Sequence, residues 1–116
     1  VTHAARVLAL RMVIEWLRFN VPPGLHAAFL ERDAQVWTAA LARYPGFISK
    51  ETWTETETND IIAVIRWTHL ENWKRIPRSD LEYLDDEMGD LLFAVVDCKV
   101  FTTTAESLFV APRDVL

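Results

Sequence analysis

Glu15 stands inside an apolar, strand-like run, Val13-Ile14-Glu15-Trp16-Leu17. It is in phase with Val13, Leu17 and Phe19, so the strand face that carries it is otherwise apolar. If that face turns toward covering helices, loss of water raises the carboxyl pKa and suits Glu15 to act as a general base. The plainer alternative is a cross-strand ion pair with Arg18, Arg66 or Lys50. Five tryptophans in 116 residues form the second chemical feature. Core or interface packing is the first reading of each ring. The functional reading is an aromatic wall that stacks a flat ligand, with Trp67 as the leading candidate and Trp37, Trp53 and Leu17 beside it. His69, two residues after Trp67, is the second candidate catalytic group after Glu15.

Other chemistries lack the residues they need. His69 and Glu71 are neighbours, but no cluster of His, Cys and carboxylates stands at ligand spacing, so neither a metal nor a cofactor is expected. The acidic residues Asp85, Asp86, Glu87 and Asp90 read as a solvated helix face. Cys98 has no histidine near it in sequence, and neither Ser49 nor Ser107 lies in a nucleophile elbow. The single cysteine excludes an internal disulfide and reads as a buried thiol of a cytoplasmic protein. A formal charge of −5 offers no basic field for nucleic acid. No apolar run approaches the roughly 18 residues that span a bilayer, and residues 1–11 do not read as a signal peptide.

These side chains need elements to hold them. Val13–Val21 reads as a first strand, ended by Pro22-Pro23-Gly24. Leu25, Phe29, Val36, Trp37, Ala40, Leu41 and Tyr44 recur at helical spacing, with Glu31, Arg32, Asp33 and Arg43 left to solvent. Pro45-Gly46 stops that helix. Phe47–Thr54 and Ile61–Trp67 follow as an antiparallel hairpin whose turn ends in Asn59-Asp60. Two capping boxes, Thr68-x-x-Glu71 and Ser79-x-x-Glu82, open a second helix split at Pro77 and ended at Gly89. Leu91–Phe101 is the last strand. The order is β-α-β-β-α-β, an α+β ferredoxin-like fold with an antiparallel sheet and its helices on one face. Residues 12–101 form this domain, with a tail over 102–116. Residues 1–11 read as an extension upstream of a start at Met12, or else as a short helix with Ala4, Val7, Leu8 and Arg11 on one face.

Tyr44-Pro45-Gly46-Phe47 after a long amphipathic helix, and Arg66-Trp67-Thr68 leading into Glu71-Asn72-Trp73-Lys74, carry a resemblance. The chain resembles the dimeric α+β barrel proteins of the antibiotic biosynthesis monooxygenase type. Met12–Phe19 followed by Val21-Pro22-Pro23 looks closer still to an uncharacterised branch common in cyanobacteria. The resemblance implies a homodimer whose sheets stack into a barrel, with a small-molecule pocket between each sheet and its own helices. Ile61–Ile65 is apolar on both faces, which independently points to a partner on the side away from the helices. Haem-degrading members use an asparagine on the first strand, a tryptophan ending the third and a histidine on the last helix. Trp67 matches the tryptophan. Leu17 or Arg18 stands at the asparagine position and no histidine follows His69, so haem degradation by that route is not expected.

Two functions follow as expectations. One is a cofactor-independent monooxygenase-like enzyme acting on a small phenolic or quinol compound. The alternative is a non-catalytic dimeric module that binds a small ligand or serves as a stress-related scaffold.

Overall fold

A computed structural model of the chain describes residues 6–8, 12–103 and 109–111. Strands β2 (Val13–Phe19), β3 (Phe47–Thr54), β4 (Ile61–Trp67) and β5 (Val95–Thr102) form one antiparallel sheet in the order β3-β4-β2-β5. A 3-10 turn at Pro23–Leu25 leads into α1 (His26–Asp33), which continues through a π-helical segment, Ala34–Thr38, into α2 (Ala39–Leu41). Helices α3 (Leu70–Lys74) and α4 (Arg78–Met88) connect β4 to β5. The fold is α+β and ferredoxin-like. Two further short strands, β1 (Arg6–Leu8) and β6 (Phe109–Ala111), pair antiparallel as a separate sheet. Val7 and Leu8 are thus extended, which corrects the short-helix alternative there; Ala4 and Arg11 lie outside the described residues.

The helix-facing side of β4 explains where the core sits. Ile61 packs with Val21, Phe29 and Met88, while Ile65 and Trp67 pack with Leu41 and Ile76. Trp37 touches both clusters. Between Ile61 and Ile65 the same face carries only Ala63, whose small side chain leaves the seam between the clusters underfilled.

The connections differ from the expected ones in instructive ways. His69, not Thr68, is the extended residue before α3, and no side chain caps that helix. Thr68 Oγ1 instead pairs with Asn72 Oδ1 at 3.0 Å, so its hydroxyl is already engaged. Pro77 precedes α4 with φ −62° and ψ 142°, and Ser79 is already helical rather than capping. Proline's fixed φ sets up that start without a hydroxyl. Gly89 ends α4 as expected, and the 3-10 turn Gly89–Leu91 delays the last strand to Val95. Gly46 adopts φ +85°, and a Cβ there would collide with the Asn72 side chain, so the turn before β3 and helix α3 approach through a glycine.

Ile62 and Val64, on the face away from the helices, are 6% and 2% exposed within this single chain. That corrects the expectation that a two-sided apolar β4 leaves a bare patch. Their cross-strand neighbours are Trp16, Arg18, Glu51 and Trp53, long side chains that shield the row. The guanidinium of Arg18 and the ammonium of Lys99 lie over the Trp16 ring, at 5.3 and 4.9 Å from its centroid. Exposed apolar residues gather on the edge strand instead, at Val95, Val96, Val100 and Phe101. Cys98 sits on that strand and is also exposed, correcting the expectation of a buried thiol.

Candidate functional site

A cavity of about 580 Å³ opens at the underfilled seam between sheet and helices. Its sheet wall is Glu15, Leu17 and Phe19 from β2, Ala63 and Ile65 from β4, and Lys50 from β3. Its helix wall is Phe29, Asp33, Trp37 and Leu41, joined by Trp73, Ile76, Leu81, Asp85 and Met88; Leu92–Val95 close one end. The size suits one small molecule.

The helix wall has a local cause. Phe29, Asp33, Trp37 and Leu41 stand four apart, and an ideal α-helix drifts about 40° over each such step. The π-helical Ala34–Thr38 turns less per residue, which holds all four toward the sheet. The sheet wall follows from alternation and register. Glu15 pairs with Ile65, and Ile65 pairs with Lys50, so Lys50, Ile65 and Glu15 form one cross-strand row on the helix side. Two strand spacings place the Glu15 and Lys50 backbones roughly 10 Å apart.

Glu15 is only 9% exposed. Its Oε1 accepts a 3.1 Å hydrogen bond from the indole N–H of Trp67. Burial pushes the carboxyl from 4.5 up to about 7, against the opposing pull of that N–H and of the Lys50 and Lys74 charges. None of the ion pairs weighed from sequence forms. Arg18 binds Glu55 and Asp60, Arg66 binds Glu51, and Lys50 binds Asp33 at 2.7 Å. Arg18 and Arg66 project from the opposite sheet face, which alternation denies to Glu15. A carboxyl that titrates near neutrality on an apolar wall can take a proton from a bound hydroxyl and give it back. Asp85, on the helix wall of the same cavity, is also raised, first by burial and then by Asp86 and Glu82. Among the described residues, no group of three or more His, Cys, Asp or Glu side chains is placed to hold a metal ion.

The structure brings Glu15, Leu17 and Trp37 into one cavity and separates the other candidates from it. Trp67 is 0% exposed and does not line the cavity; its ring lies edge-on to Phe47, with centroids 5.8 Å apart, and only its N–H reaches the site through Glu15. The expectation that its ring stacks a ligand is corrected, because the ring is enclosed in the cluster around Leu41 and Ile76. Trp53 is 46% exposed on the far face and donates its N–H to Glu51. His69 is exposed outside the cavity, with Nδ1 3.3 Å from Thr68 Oγ1. Sequence reasoning missed Asp33, assigned there to solvent, and weighed Lys50 only as a partner for Glu15. The signal for Asp33 was its place midway between Phe29 and Trp37 at four-residue steps.

The sequence matches no family model and no curated protein. Its fold is shared with several solved structures. A Bordetella bronchiseptica protein assigned by name to antibiotic biosynthesis monooxygenases aligns with a TM-score of 0.62 and 20% identity, over 81% of this chain and 96% of that one. SnoaB, a cofactor-independent oxygenase from Streptomyces nogalater, aligns with a TM-score of 0.60 and 23% identity, over 84% and 95%. A heme-degrading protein of Mycobacterium tuberculosis aligns with a TM-score of 0.54 and 16% identity, over 81% and 90%. These likenesses establish the antibiotic biosynthesis monooxygenase type of fold. Among the described residues, no helix is long and apolar enough to cross a membrane.

Proposed function

We propose that this protein is a cofactor-independent monooxygenase-like enzyme acting on a small phenolic or quinol compound, with Glu15 as its general base. The observation that carries the reading is a buried carboxyl with a pKa near 7 on the wall of an apolar cavity of about 580 Å³. Glu15 takes the hydroxyl proton, and the phenolate left behind is electron-rich enough to react with dioxygen. For a naphthol the sum balances without an outside reductant: naphthol and O₂ give a naphthoquinone and water. Trp67 acts on this step by position, holding the carboxyl through its N–H. Trp37 and Leu17 supply stacking and apolar contact. The fold shared with SnoaB supports the reading by analogy.

The test is oxygen uptake on a panel of naphthols and hydroquinols, with enzyme-free oxidation subtracted, for the wild type and Glu15→Gln. Turnover that depends on Glu15 supports the enzyme. Saturable binding without turnover favours the ligand-binding module instead.

The homodimer belongs to the same proposal. Its support is now the exposed apolar residues of the edge strand β5 rather than the far face of β4. Light scattering at micromolar concentration should give twice the chain mass, and a monomer would remove this part.

A further inference from the structure

We propose that Lys50 is the anion-holding group of the cavity, so that the molecule it takes is a phenol or enol bound with its ionised oxygen on the Lys50 ammonium. This rests on the reading of the cavity as a substrate site and deepens it by naming what meets the charge that Glu15 creates.

Lys50 is an odd residue to bury. Its side chain is 3% exposed, yet it lines an apolar cavity and is balanced by Asp33, itself 11% exposed. A buried ion pair is a weak source of stability, and a well-packed apolar pair would often serve as well or better. The ammonium carries three donors, of which the Asp33 bond takes one. It stands in the same cross-strand row as Glu15, with Ile65 between them, so a flat molecule lying over Ile65 meets the acceptor of its proton on one side and a fixed cation on the other. Moving a proton from the ligand to Glu15 leaves the charge of the site unchanged, and the new oxyanion is held by a preorganised donor in a water-poor space.

Glu15 comes from β2, Asp33 from α1 and Asp85 from α4; Lys74 acts on Glu15 from α3, and Glu15 in turn raises the Cys98 thiol on β5, after burial. Among the described residues that line the cavity, Lys50 is the one cation.

The test titrates a bound nitronaphthol, whose ionised form absorbs at longer wavelength, between pH 4 and 6. In that window Glu15 is largely protonated. In the wild type the bound probe should ionise about one pH unit below the free probe, a tenfold preference for the anion. Lys50→Met should move ionisation to or above that of the free probe, and Lys50→Arg should restore the preference. Asp33→Asn removes the competing carboxylate and should strengthen the preference several-fold, which keeps a measurement in hand should Lys50→Met fail to fold. A wild type that binds no probe, a bound probe that ionises at or above the free one, or a preference unaltered in Lys50→Met or in Asp33→Asn would each overturn the proposal. Because the titration needs no turnover, a Lys50-dependent preference without oxygen uptake sinks only the oxygenase reading. Oxygen uptake with a Lys50-independent ionisation sinks only this one.

Discussion

Glu15 and Glu51 make the same contact on opposite faces of one sheet. Each carboxylate accepts an indole N–H, from Trp67 at 3.1 Å and from Trp53 at 2.7 Å. Their acidities nevertheless move in opposite directions. The Trp53 N–H holds the Glu51 carboxyl below its usual range, with Arg66 adding to the effect, because water still solvates the group. Burial at Glu15 outweighs the same kind of hydrogen bond and carries the carboxyl to about 7. The difference lies in what surrounds the pair. A single N–H offsets part of a carboxylate's lost hydration, and it dominates only where little hydration was lost.

The largest effect that would sharpen this contrast is on turnover. Glu15→Gln keeps the shape and the acceptor for Trp67 but has no basic carboxylate, so oxygen uptake should fall about 10²–10⁴-fold. Glu51→Gln should leave it unchanged, and equal losses in the two variants would break the comparison.

Stability should show the next largest effect. A carboxyl whose pKa is about 7 folded and 4.5 unfolded binds more protons in the native state, so its contribution is fully present below pH 4.5 and is lost as pH rises through 7. The displacement corresponds to about 3 kcal/mol. Urea unfolding should therefore find Glu15→Gln more stable than the wild type at pH 8.5 by up to about 3 kcal/mol, with little difference at pH 4.5. A wild-type stability that is flat across this range would mean that Glu15 is better solvated than its burial implies.

Trp67→Phe keeps an enclosed ring and deletes the N–H. Loss of the buried hydrogen bond should cost about 1–3 kcal/mol at pH 8. The N–H favours the ionised carboxylate, so its removal should also move the pH midpoint of the Glu15-linked stability change upward. A midpoint that moved down would contradict the assigned direction.

The smallest effect belongs to the far face. Glu51→Gln should change stability by no more than about 0.5 kcal/mol at pH 7, as expected of a half-exposed group. Its lowered pKa means that any contribution is present at neutral pH and is lost as pH falls.

Much of the scaffold was legible in the residues. Phe47–Thr54 and Ile61–Trp67 are strands over the limits that their composition and bounding turns indicated. Tyr44-Pro45-Gly46-Phe47 ends one element and starts the next, because proline and glycine act on the backbone directly. The Thr68 and Ser79 capping boxes failed for the converse reason. A hydroxyl's partner is chosen among several within reach, and at Thr68 the Asn72 side chain took it. The last strand began four residues late because Gly89–Leu91 coils into a 3-10 turn.

The candidate site was legible only in part. Glu15 in phase with Leu17 was visible from alternation, and so was Trp37 on the helix stripe. The buried ring of Trp67 was not, since a tryptophan ending a strand reads alike whether it faces a cavity or closes a core. Nor was the Asp33–Lys50 pair, which joins α1 to β3 across 17 positions of sequence.

The sequence alone determined the order of elements in the four-stranded domain, the residues that share a strand face with Glu15 and the aromatic supply around it, because period, proline and glycine act locally. Tertiary structure decided how dry that face is, which indole lies against Glu15 and where the lysine charge goes. Those depend on the small Ala63 at the seam, the π-helical turn after Asp33 and the register of three strands, none of which a local pattern encodes.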